Sequence, residues 1–232
     1  VDTFWHLAIG RFIELANIPT TDLFSAVHPD SPWTQFQWLW EWLAFLAVDY
    51  GGLELLRMTN ALLLSLMVAC SYLIFRKNLS WGKASLVAAA FLLLSVDRFR
   101  VRPDAMNMVL FVAGLPYLLW GWRKWGRTRL LFPAVLAALW SNLHGGGVLL
   151  WVVSCGTIWT EVAYKHFRKE QPDRTLLETS LVMLAMLLAC LASPTMISGL
   201  GHFAAIYRDA VTQIPNPEWN ATWTMLMEGS HP

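Results

Sequence analysis

The sequence predicts an all-α fold, a polytopic helical membrane protein of about six transmembrane helices with an extra interfacial helix on the outer side. Three observations carry that expectation. Hydrophobic residues make up 56% of the 232 positions, charged residues only 14%, and mean hydropathy is +0.44, outside the mix of a water-solvated domain. Apolar segments recur at about 55–75, 80–96, 105–122, 130–144, 146–164 and 176–193. Basic residues are sorted: eleven of the seventeen Lys and Arg lie in three short stretches. These hold Arg76, Lys77 and Lys83; Arg123, Lys124, Arg127 and Arg129; and Lys165, Arg168, Lys169 and Arg174. Only Glu170 and Asp173 oppose them there.

Short loops rich in Lys and Arg stay cytoplasmic, because carrying positive charge outward opposes the membrane potential. The intervening hydrophilic stretches, 1–54, 97–104, 141–147 and 194–232, then face out, and they hold five of the six histidines, His166 excepted. The expected organisation is a single domain over 1–232: an outer loop over 1–52, a bundle over 53–193 and an outer loop over 194–232. Within the first loop, segment 36–49 is apolar but contains Glu41, and Trp33, Trp38, Trp40 and Trp42 crowd its start. Tryptophan favours the headgroup boundary, so this segment reads as a helix lying in the outer interface. Segment 130–144 is short against the roughly 20 residues a bilayer core requires. Both its neighbouring basic loops face in, however, so it and 146–164 cross together or not at all. The chain opens at Val1 with neither Met nor a signal-peptide stretch, which reads as a fragment or processed product lacking its first span. Cys70, Cys155 and Cys190 sit inside apolar segments without ligand spacing and read as core residues. A net charge of +1 leaves no footprint for nucleic acid, and no such partner is expected.

Three outer constellations carry chemistry. A helix over Asp2-Thr3-Phe4-Trp5-His6-Leu7 puts Asp2 and His6 on one face, a turn apart, where the carboxylate orients the imidazole or acts as a base itself. The same residues also read as a capped helix start. Arg98, Arg100 and Arg102, between Asp97 and Asp104, defy the sidedness rule and call for an anion. Guanidinium groups grip phosphate bidentately, although the two aspartates and bulk headgroups would also balance them. Trp140-Ser141-Asn142-Leu143-His144-Gly145-Gly146-Gly147 is a tight turn whose glycines admit close backbone approach to a ligand, or simply make the hairpin. His6, His144 and His202 have no metal-ligand spacing, so no cofactor is expected, a divalent metal being chemically possible but not indicated.

Trp5-His6-Leu7, Gly10-Arg11, Ile18-Pro19, Asp22, Phe24-Ser25, Pro32-Trp33, Trp38-Leu39 and Glu41 together resemble the first outer loop of bacterial multi-pass proteins of the GT-C glycosyltransferase group. Arg102-Pro103, Trp140 with Asn142-Leu143-His144-Gly145-Gly146, and Glu218-Trp219 resemble later motifs of the same group. Phe4, Phe36-Gln37, Asp104 and Ser193 depart from its usual residues. The resemblance implies a plasma-membrane enzyme that moves a sugar from a polyprenyl-phosphate carrier to a glycan, lipid or protein acceptor on the extracytoplasmic face. It implies Asp2 and His6 as the catalytic pair, and Arg11, Asp22, Glu41, Arg98, Arg100, Arg102, Asn142, His144 and Glu218 as substrate-binding residues. A multi-pass transporter, or a non-catalytic subunit of envelope assembly, is the alternative reading of the same layout.

Overall fold

The computed structural model describes residues 2–24, 33–94, 101–124, 131–171, 174–195 and 197, the side chains of Asp2, Leu94 and Gly146 excepted. The chain divides into two compact units, Val1–Met196 and Ile197–Pro232. The expected outer residues Arg98, Arg100 and Glu218 lie outside the described residues, as do His202 and Asp97.

The first unit is helical, with no β-strand among the described residues: α1 (Asp2–Leu15), α2 (Trp38–Arg76), α3 (Trp81–Leu94), α4 (Asp104–Pro116), α5 (Trp122–Lys124), α6 (Phe132–Leu143), α7 (Val148–Phe167) and α8 (Leu176–Leu191). Every one of the six apolar segments forms a helix. Each boundary has a local cause. At α8, Thr175 Oγ1 accepts the Glu178 N–H at 3.1 Å while the Glu178 carboxylate accepts the Thr175 N–H at 3.3 Å, a reciprocal cap on the first turn. At α6, Pro133 occupies the first turn, where a missing N–H costs nothing. Pro116 ends α4, and the chain passes through a π-helical turn, Tyr117–Gly121, into α5. Proline cannot donate to the carbonyl four residues back, and a widened turn absorbs that defect.

The helix α2 is broken at Gly51 and Gly52, and Gly52 has φ +68°, a left-handed conformation that favours glycine. The apolar stretches 36–49 and 55–75 thus form helix on the two sides of the break. Among the described residues two helices, Trp38–Arg76 and Asp104–Lys124, are long and apolar enough to cross a membrane. Trp81–Leu93, Phe132–Leu143 and Leu176–Leu191 are apolar but shorter.

The unit is apolar outside as well as inside. Leu62, Leu66, Leu73, Leu86, Leu93, Val153, Leu181 and Leu188 are exposed, whereas His6, Gln35, Glu41, Asn60, Ser71 and Thr179 are buried. Such a distribution suits hydrocarbon better than water as the surrounding solvent. The core centres on Trp140 and Trp151, both fully buried and stacked with centroids 6.4 Å apart. Trp151 donates from Nε1 to the Pro133 carbonyl at 3.0 Å, and Gly114 of α4 gives its ring room.

Contacts join the loops in two groups. At one end, Lys77 lies over the Trp120 ring, Arg174 donates to the Trp122 carbonyl at 2.8 Å, and Arg123 pairs with Glu161 at 3.1 Å. These tie together the three basic stretches. At the other end, Thr3 donates to the Val101 carbonyl at 3.1 Å, the Gly145 N–H to the Phe36 carbonyl at 2.8 Å, and Trp38 Nε1 to Asn142 Oδ1 at 2.9 Å. These tie together the segments that charge sorting assigns to the opposite face.

Candidate functional site

The polar end is built around Glu41. Helix α1 lies so close to the start of α2 that a methyl group on Gly10 would overlap the Glu41 carbonyl oxygen. That approach brings His6, one turn earlier on α1, against the Glu41 side chain, with His6 Nδ1 2.8 Å from Glu41 Oε1. Glu41 has no exposed surface. Its other oxygen accepts from Gln35 Nε2, and Gln37 Nε2 stands 3.5 Å from Oε1. Gln35 is fixed in turn, because Trp33 Nε1 donates to its Oε1 at 2.6 Å, which commits its amide nitrogen to the carboxylate. Buried carboxylates persist when donors surround them, and here imidazole and amide donors do so.

The hydrogen bonds also set the tautomer. A carboxylate can only accept, so Nδ1 carries the hydrogen between His6 and Glu41, and no described residue partners Nε2. The Trp40 ring packs edge-on against the imidazole, centroids 5.4 Å apart, and limits its rotation. Chemically this is an oriented imidazole backed by a carboxylate, able to take a proton at Nε2.

A second pair lies across the Phe36–Gly145 hydrogen bond. His144 Nε2 is 3.2 Å from Asp104 Oδ1, while the Gly147 N–H is shared between the His144 carbonyl at 2.9 Å and Nδ1 at 3.3 Å. His144 therefore uses both nitrogens inside the protein. Beside it Trp140 Nε1 donates to Asn107 Oδ1 at 2.8 Å. A methyl on Gly147 would overlap Asn107 and crowd Trp140, so this glycine leaves room for protein side chains. Asn142 accepts from Trp38 and donates to the Ala138 carbonyl at 2.7 Å, a bracing role between α2 and α6.

The structure thus brings together His6, Glu41, Asn142 and His144 among the expected residues. Arg102 is half-buried, directly before α4 and two residues from Asp104. Asp2 is the first residue of α1, one turn before His6. Arg11 is exposed on α1. Asp22 accepts the Phe24 N–H at 2.9 Å, a local turn in a loop held by Trp5 packing against Phe24 and Trp33.

Comparison with protein-family models, curated proteins and solved structures yields no match.

Among the described side chains, the carboxylate that contacts His6 is Glu41, 35 residues away. No site role was expected of Gln35, Gln37, Trp33 or Asn107. Glu41 standing alone in an apolar tryptophan-rich segment was the available sign, since a carboxylate there must be buried with partners or face water. Among the described residues no group of three His, Cys, Asp or Glu side chains is placed to hold a metal ion. Adjoining the site, a cleft of about 200 Å³ runs between α2, α4 and α6, lined by Trp40, Leu56, Asn60, Val101, Met106 and Leu143.

Proposed function

We propose that this chain is a multi-pass bacterial plasma-membrane glycosyltransferase of GT-C type, moving a sugar from a polyprenyl-phosphate carrier to an extracytoplasmic acceptor. The observation that carries this reading is the buried Glu41 carboxylate holding His6 by Nδ1, with Nε2 unpartnered among the described residues. In this mechanism His6 Nε2 removes the proton of an acceptor hydroxyl as its oxygen bonds to the anomeric carbon, and the carbon–oxygen bond to the lipid phosphate breaks. Glu41 balances the imidazolium that forms, and a single displacement inverts the anomeric centre. Arg102, with Arg98 and Arg100, receives the charge that grows on the leaving phosphate. The apolar cleft beside Trp40 accepts the first isoprene units of the carrier. Asp2, to which the resemblance gives the base, stands one turn from His6 and is tested beside it.

In the same proposal the helices from the second half of α2 to α8 make six crossings, with the three basic loops inside. The short helix α6, 12 residues, is accommodated by local thinning of the bilayer. Support comes from the apolar exterior and from the separation of basic and His-bearing loops to opposite ends. An impermeant thiol reagent applied to sealed cells is expected to modify a cysteine at Thr20 and to spare one at Asn78; the reverse pattern overturns the orientation.

The activity test is transfer from a labelled polyprenyl-phosphate sugar by the full-length protein in lipid. The reading expects His6→Gln to lower turnover by about a hundredfold or more. Loss in Asp2→Asn with normal turnover in His6→Gln moves the base to Asp2. Undiminished turnover in both variants removes this site from the mechanism.

A further inference from the structure

The basic end of the bundle contains a cavity of about 520 Å³ that the transferase reading does not use. It lies between the end of α2 and the turn leading into α5. Its described walls are Lys77, Asn78, Leu119, Trp120, Arg123 and Lys124: three cations, one amide, two apolar surfaces and no carboxylate. The volume falls within the roughly 300–1,000 Å³ of small-molecule sites.

The cations are positioned by packing. Lys77 Nζ sits 4.2 Å from the centre of the Trp120 ring, and the Arg123 guanidinium 4.5 Å from that of Trp122. Cation–π contacts of this kind fix a flexible charge without neutralising it. The nearest carboxylate described at this end, Glu161, is shared between Arg123 at 3.1 Å and Lys165 at 2.8 Å. Three cations against one shared carboxylate leave the described walls with an excess of positive charge. Among the described residues that line the cavity, none is an acid.

We propose that this cavity binds the phosphodiester headgroup of an anionic phospholipid. The phosphate oxygens sit between the Lys77 and Lys124 ammonium groups, with Asn78 donating from its amide. Leu119 and Trp120 receive the glycerol backbone and the first methylene groups. A lipid is favoured over a free phosphate because the cavity stands at the ends of the two longest apolar helices and half its wall is apolar. Basic pockets between helices at a membrane face recognise anionic headgroups on this principle. The inference rests on the membrane-spanning reading but shares no residue with the proposed catalytic site, so failure of the transferase assay leaves it standing.

The experiment incorporates the full-length protein in vesicles of phosphatidylcholine with a minor share of phosphatidylglycerol, extracts it gently, and counts retained lipids by native mass spectrometry. Selective retention of one phosphatidylglycerol is expected. The Lys77→Gln, Lys124→Gln double variant, altered at two exposed positions, should lose roughly 30-fold in apparent affinity, and Lys83→Gln, at the same end but outside the cavity, should lose little. Equal loss in both variants means diffuse attraction and overturns the site. Displacement of the lipid by millimolar inorganic phosphate identifies the free anion as the ligand and overturns the lipid assignment. Retention of phosphatidylcholine as tightly as phosphatidylglycerol also refutes it.

Discussion

Replacing Glu41 tests the centre of the site on stability alone, whatever reaction it serves. The side chain is fully buried and accepts from His6 at 2.8 Å and from Gln35, with Gln37 at 3.5 Å too long to count as a full bond. Glu41→Ala strands two buried donors, and each stranded donor costs about 1–3 kcal/mol, so the expected loss is about 2–6 kcal/mol. Glu41→Gln keeps the shape but has one oxygen for two donors. Gln35 has no easy escape, because rotating its amide would turn its nitrogen toward the Trp33 indole N–H, itself a donor at 2.6 Å. The Gln variant should therefore lose about half as much. At about 2–4 °C per kcal/mol for a chain of this size, the melting temperature in detergent should fall by about 8–16 °C in Glu41→Ala for a central 4 kcal/mol. A shift under about 2 °C in Glu41→Ala, or a Gln variant worse than the Ala variant, refutes the claim that this carboxylate organises its neighbours.

The same melting assay reads four glycine substitutions. Gly10→Ala should force α1 away from α2 and lower stability by about 1–3 kcal/mol, as overpacking does, with loss of the His6 pairing visible in the imidazole NMR resonances. Gly147→Ala should cost a similar amount by displacing Asn107 from Trp140. Gly52→Ala meets no neighbour but carries φ +68°, so its cost of about 1–2 kcal/mol is purely conformational. Gly82→Ala, with open space around it in α3 and an ordinary helical backbone, should be neutral or slightly stabilising. If Gly82→Ala proves as harmful as Gly10→Ala, the close-approach explanation fails.

Much of the helical layout was legible because composition, not context, decides it. Runs such as Leu62 to Ala69 or Leu181 to Leu191 hold too few polar groups to do anything but bury or meet lipid, and all six apolar segments are helices. The break at Gly51 and Gly52 was legible only as a gap between two apolar stretches; that one element continues through it with a left-handed residue required backbone coordinates. The π-helical turn after Pro116 is of the same kind, since proline announces a defect without saying how the chain absorbs it. Charge sorting went further than helix assignment. It divided the loops into two groups, and the contacts of Lys77, Arg123 and Arg174 on one hand and of Thr3, Phe36 and Trp38 on the other follow the same division.

The site was less legible, because its partners are distant in sequence and chemically unremarkable. Local spacing related Asp2 to His6, a turn of one helix, but nothing local relates His6 to Glu41 or Trp33 to Gln35 through to that carboxylate. Glutamines in a loop attract no notice, yet a fully buried carboxylate requires amide donors, and Gln35 is the residue that supplies one. The glycines of 145–147 were ambiguous. They read equally as room for a ligand or as hairpin formers, and Gly147 makes room for Asn107 and Trp140. His144, whose two nitrogens face Gly147 and Asp104, is consequently the braced histidine, whereas Nε2 of His6 is unclaimed by any described residue. Two histidines that looked equivalent in the sequence differ in hydrogen bonding for a reason located in their neighbours. The test of that difference is the imidazole NMR spectrum: Glu41→Gln should move the His6 ring resonances and leave those of His144 in place, while Asp104→Asn should do the reverse.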